Sequence, residues 1–100
     1  MSYYMVINSN SSAVQDQPAA ARYIKLADQS VINHGGSVLI STGDVELFEG
    51  AYNHPRFKIY QYPDRETALT RDRSEEFRHA VSQRPSGFEV NRILVPGHQL

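Results

Sequence analysis

His34 is the side chain best suited to moving protons, because an imidazole titrates near neutral pH and this one stands between a helix-forming stretch and the flexible pair Gly35-Gly36. It has a structural role open to it as well. A histidine in the last turn of a helix can hydrogen-bond the free carbonyls there and is favoured by the helix dipole. Arg56 opens an aromatic and β-branched run and can hold a carboxylate in a two-point guanidinium fork, or pair internally with Glu46 or Glu49. Tyr4 and Tyr60, with Tyr62, can line a pocket and orient a ligand through their hydroxyls, although strand tyrosines also serve as core or interface. Together these residues describe a site for a small apolar or aromatic carboxylate. In it His34 is the acid or base, Arg56 the anchor, and Tyr60 and Tyr4 the binding surface.

Other chemistries lack their residues. There is no cysteine, so disulfides, thiolate nucleophiles, iron–sulfur clusters and cysteine-rich zinc sites are excluded. His54, His79 and His98 stand far apart with neither His-x-His nor one-turn helical spacing, and no metal is expected. No nucleophile elbow, P-loop or dinucleotide fingerprint occurs, and no tightly bound cofactor is expected. Arg71, Arg73, Arg78 and Arg84 are interleaved with Asp72, Glu75 and Glu76, the pattern of a solvated helix face. Ten Lys and Arg against eleven Asp and Glu leave a net charge of −1, which supplies no long-range pull on phosphate backbones or anionic lipid. Neither nucleic acid nor membrane is an expected partner. No apolar run approaches the ~20 residues that span a bilayer, and the N-terminus lacks a signal-peptide pattern, so a soluble cytoplasmic protein is expected.

The elements that must position these groups can be read from patterning. The 100 residues form one domain, 40% hydrophobic and 21% charged, as for an ordinary globular fold. Tyr3 to Asn8 reads as a strand. From Pro18, Ala20, Tyr23, Ile24, Ala27 and Val31 recur at helical spacing, with Asp16 as N-cap and Gly35-Gly36 as the stop. Ser37 to Ser41 predicts a second strand with a bent extension over Val45 to Glu49. Arg56 to Tyr62 predicts a third, with Phe57 and Ile59 on one face and Arg56, Lys58, Tyr60 and Tyr62 on the other. Asp64 and Ser74 can each cap a helical segment, the first carrying Ala68 and Leu69, the second Phe77, Ala80 and Val81. Glu89 to Val95 predicts the last strand, closed by Pro96-Gly97.

The order β-α-β-β-α-β predicts an α+β, ferredoxin-like fold, with a four-stranded antiparallel sheet carrying its helices on one face. The other face is not polar enough for water. Tyr3, Met5 and Ile7 share one side of the first strand and Tyr4 and Val6 the other, while the last strand carries Val90 and Leu94 on one side and Ile93 and Val95 on the other, so neither face is properly polar. A large contiguous apolar face is rarely left exposed, so a second copy packed sheet to sheet across a two-fold axis is expected.

A set of landmarks supports this from another direction. His34-Gly35-Gly36, Gly43-Asp44-Val45-Glu46-Leu47-Phe48-Glu49-Gly50, Pro55-Arg56, Tyr62-Pro63 and Ile93-Leu94-Val95-Pro96-Gly97 resemble, in order and spacing, the domain-of-unknown-function 1330 family. The resemblance runs from the first strand to Gly97. It implies a ferredoxin-like protomer of the dimeric α/β barrel superfamily, which includes cofactor-free monooxygenases, isomerases and haem enzymes. It implies no particular activity. Two family features are replaced: Ser37 stands where an Arg often follows the Gly-Gly pair, and Thr70-Arg71 where an aromatic pair is common. The functions to separate are therefore three. The first is a homodimeric enzyme acting on a small carboxylate by monooxygenase- or isomerase-like chemistry. The second is a non-catalytic binding dimer, and the third an interaction protein with no ligand of its own.

Overall fold

The computed structural model describes residues 1–98. Its strands are β1 (Tyr3–Ser9), β2 (Ser37–Thr42), β3 (Arg56–Tyr62) and β4 (Val90–Pro96), and its helices α1 (Gln17–Asn33), α2 (Arg65–Arg73) and α3 (Glu75–Ser82). A single 3-10 turn, Ser11–Ala13, follows β1. The strands form one sheet in the order β2-β3-β1-β4, every neighbouring pair antiparallel, which is the ferredoxin-like arrangement.

The helices start and stop where side chains satisfy their free backbone groups. The Asp16 carboxylate accepts from the Ala19 amide at 3.0 Å to open α1. His34 caps the other end, and Gly35 follows at φ +91°, a left-handed conformation that favours glycine. Asp64 opens α2 through the Thr67 amide. Ser74 ends α2 and starts α3, because its own amide donates to the Arg71 carbonyl while its hydroxyl accepts from the Phe77 amide. That one residue is why the second helical region is split.

One apolar cluster joins the sheet to the helices: Met5, Tyr60 and Tyr62 from β1 and β3, Val31 from α1 and Ala68 from α2. A second joins α1 to α3 through Tyr23, Ala27, Phe77 and Ala80. Gly36 marks a close approach in the first. A Cβ there would lie 2.7 Å from Val31 Cγ1 and 2.9 Å from the Tyr62 ring, and both side chains are wholly buried. Gly36→Ala is therefore expected to cost about 1–3 kcal/mol through overpacking. The urea midpoint should fall with an unchanged slope, and a midpoint equal to that of the wild type would contradict this contact.

Two expectations are corrected. Val45 to Glu49 does not extend β2: the whole stretch from residue 43 to 55 pairs with no strand and leaves Leu47 and Phe48 exposed, Phe48 at 91%. β2 itself is irregular, because Leu39 is an extra residue between Val38, opposite Tyr60, and Ile40, opposite Ile59. Arg71, expected on a solvated face, is 1% exposed and lies inside the helix layer.

The sheet face away from the helices carries Tyr4 and Val6 of β1, Phe57 and Ile59 of β3, and Ile93 and Val95 of β4, with Ile40 of β2 beside them. Ile93 is 58% and Ile40 40% exposed in the single chain. No helix among the described residues is long and apolar enough to cross a membrane.

Candidate functional site

Strand register builds the floor of a cavity on the helix side of the sheet. Residues two apart on a strand share a face, so the register places three rows side by side. Ser9 lies between Arg56 and Val90, Ile7 between Lys58 and Arg92, and Met5 between Tyr60 and Leu94. Over the first two rows and Tyr60 stands a mainly apolar roof of Tyr23, Ile24 and Ala27 from α1, Phe77 from α3, and Phe88. The cavity measures about 60 Å³ and opens to solvent. Phe88 packs edge-on against Tyr23 at 4.9 Å between ring centres. Asn10 holds the segment bearing Phe88 in place, donating to the Gly87 carbonyl at 2.9 Å and accepting from the Glu89 amide at 2.8 Å.

The polar groups of this layer are mostly spoken for. Asp28 Oδ1 accepts from Lys58 Nζ at 2.7 Å and from Tyr60 Oη at 2.6 Å. Burial, and after it the Asp28 carboxylate, pushes the Tyr60 phenol far above its ordinary range, so it stays protonated and acts as a donor. Arg92 meets Asp72 in a two-point pair, with Nη1 to Oδ1 at 2.6 Å and Nη2 to Oδ2 at 3.2 Å. Burial disfavours the Arg92 charge, but the hydrogen bond and the charge of Asp72 more than offset it, and the guanidinium is held more firmly protonated. Arg71 donates to Ser30 Oγ and to the Ala27 carbonyl, both at 2.9 Å, with its guanidinium 3.7 Å from the Phe77 ring centre. Tyr62, wholly buried nearby, has no partner for its hydroxyl among the described residues, and burial raises its pKa.

Among the charged groups that line the cavity, Arg56 is the exception. It is half-buried, it lines the cavity, and among the described residues no carboxylate or other hydrogen-bond partner meets its guanidinium. Glu46 and Glu49, the internal partners its sequence position allowed, are exposed and make no pair with it. Gly43 leaves the room it occupies: a Cβ there would come within 2.9 Å of Arg56 Nη1. No Asp or Glu lines the cavity, whereas Arg56, Lys58 and Arg92 all do.

The four expected site residues are therefore not gathered into one place. Arg56 and Tyr60 share the cavity. Tyr4 is on the opposite face of β1, where the Tyr4 ring would crowd any Cβ at Gly97. His34 is at the end of α1 and is not part of the lining; its Nδ1 lies 2.7 Å from the Ser30 carbonyl, which fixes the proton on that nitrogen, and 3.5 Å from Glu76 Oε1. This is the capping geometry open to it from the sequence. The residues that sequence reasoning missed are Asp28, Lys58, Asp72 and Arg92. For the two cations the signal was present in the alternation, which puts Lys58 beside Tyr60 on one strand face and Arg92 between Val90 and Leu94 on another.

The family model described as "Domain of unknown function (DUF1330)" matches residues 2–98. No curated protein matches the chain significantly. Among solved structures, a protein of unknown function from Rhodopseudomonas palustris is similar at TM-score 0.75 and 16% identity, over 99% of this chain and 84% of that one. Its methylated form is similar at TM-score 0.74 and 18% identity, over 98% and 82%. An antibiotic biosynthesis monooxygenase is similar at TM-score 0.51 and 13% identity, over 99% and 100%. At these identities the likeness is one of fold.

Proposed function

We propose, for a chain that belongs to the DUF1330 family, a homodimer that binds a small apolar or aromatic carboxylate between its sheet and its helices, with Arg56 as the anchor. The observation that carries this reading is the unpartnered Arg56 guanidinium at a cavity with no acidic lining residue. A cation drawn out of water is costly unless it meets an anion, and a ligand carboxylate supplies one in the two-point geometry that guanidinium favours. The aromatic roof suits the apolar remainder of such a ligand. The second copy covers the apolar sheet face, as the exposure of Ile93 and Ile40 in the single chain supports.

Binding is favoured over turnover by the state of the polar side chains. Lys58 and Tyr60 are tied to Asp28, and His34 is outside the lining, so the cavity presents no untethered acid or base among them. Turnover of a bound carboxylate by wild-type protein, lost in His34→Ala, would restore the enzyme reading.

Calorimetric titration with benzoate, phenylacetate and hexanoate tests the anchor. Arg56→Gln is expected to weaken binding at least ~10-fold, the size of a lost charge-assisted hydrogen bond. Equal affinities in the two proteins, or no binding of any of the three to the wild type, would overturn the reading.

A further inference from the structure

The arm from residue 43 to 55, between β2 and β3, carries its apolar side chains outward. Val45 is 38%, Leu47 54% and Phe48 91% exposed. Asp44, Glu46 and Glu49 lie among them, and their carboxylates meet no cation among the described residues. A contiguous exposed apolar stretch marks an interaction surface, and the acidic groups set the sign of its partner. The cavity offers the opposite set: an aromatic roof, no acidic lining residue, and Arg56 without a counter-ion. Arm and cavity share one end of the sheet. Ser9, Arg56 and Val90 form its last row there, and the arm leaves from Thr42, opposite Phe57, and returns at Arg56. Within one chain the two do not meet, since Glu46 and Glu49 are exposed and unpaired with Arg56.

We infer that, before ligand binds, the arm of a second copy fills the mouth of the cavity, with Phe48 against the aromatic roof and Glu49 on the partner's Arg56. The inference rests on the carboxylate reading above and names the internal competitor of that ligand. Phe48 and Glu49 are adjacent and supply the two groups the reading asks for, an aromatic ring and a carboxylate. Two-fold symmetry makes the exchange reciprocal, so each cavity is closed by the other chain. The arm is long enough. Half of it, about six residues, reaches up to roughly 20 Å from its base, past the end of a sheet packed ~10 Å away. A small carboxylate then binds by displacing the arm, and its apparent affinity falls with the fraction of cavities the arm holds.

The chain has no tryptophan, so Phe48→Trp gives a single indole whose emission reads the position of the arm. The exposure of Phe48 in the single chain leaves the core untouched by this change. The emission is expected to be shifted to the blue of an exposed indole, and to return to it with saturating benzoate or when Arg56→Gln is added in the same chain. Refolding that double variant from urea with excess wild type should restore the shift, because its indole then meets an intact Arg56 on the partner. The emission of an exposed indole in Phe48→Trp alone, a shift unmoved by benzoate or by Arg56→Gln, or a shift the wild-type chain fails to restore would each overturn the inference. Calorimetry separates it from the anchor. Phe48→Ser, freed of the competitor, is expected to bind benzoate at least ~3-fold tighter than the wild type. Equal affinities would sink the arm and leave the anchor standing, whereas no binding to either protein would remove the anchor and the arm with it.

Discussion

Arg71→Ala is expected to destabilise the protein by about 3 kcal/mol, and Arg71→Met by less than half as much. Arg71 is 1% exposed, and its guanidinium joins α2 to α1 through Ser30 Oγ and the Ala27 carbonyl while lying over the Phe77 and Tyr60 rings. Truncation to alanine removes both hydrogen bonds and leaves a void in a layer that cannot collapse to fill it. Methionine refills most of that volume without a charge to desolvate. Asp72 still has Arg92 in either variant, so no buried carboxylate is left alone. For a chain of this size the alanine variant should melt on the order of 12–24 °C lower, compared at equal protein concentration. A change under ~0.5 kcal/mol would mean a solvated arginine and would contradict the burial.

Ile93→Glu is expected to convert the proposed dimer to a monomer. Ile93 is 58% exposed in the single chain, so the substitution leaves the protomer's own core intact. In the proposed sheet-to-sheet dimer it would set two carboxylates within one apolar interface formed with Tyr4, Val6, Ile59 and Val95, where desolvation and like charge both oppose association. Sedimentation should give half the wild-type mass. Because this account has the free sheet face drive association, a wild type that sediments as a monomer, or an Ile93→Glu protein that remains dimeric, would sink the sheet-to-sheet arrangement.

Patterning carried the fold well and the site only in part. The order of elements, both caps of the second helical region, and the sharing of one strand face by Arg56, Lys58, Tyr60 and Tyr62 could all be read directly, because alternation and capping are local. What could not be read is which strand face meets the helices. The face of β3 that looks more polar is the inner one, since Asp28 and Tyr60 turn Lys58 into a satisfied buried cation, and that compensation crosses 30 residues of sequence. Arg71 was hidden for the same reason: its acidic neighbours suggest a wet surface, but beside Asp72 its guanidinium meets a carbonyl and a hydroxyl on α1. Val45 to Glu49 alternates apolar and acidic side chains as a strand would, yet the stretch from residue 43 to 55 pairs with no strand. His34 shows the limit of reading function from residue type, since the same position that suggested catalysis also suits a helix cap.

Native mass spectrometry of the protein with a small carboxylate tests the central claim most directly, because it reads the assembly and its cargo in one spectrum. The account predicts a species of twice the chain mass that takes up one carboxylate per chain, with the uptake lost in Arg56→Gln and the dimer retained. Uptake undiminished by Arg56→Gln would contradict it, as would a wild type that takes up none.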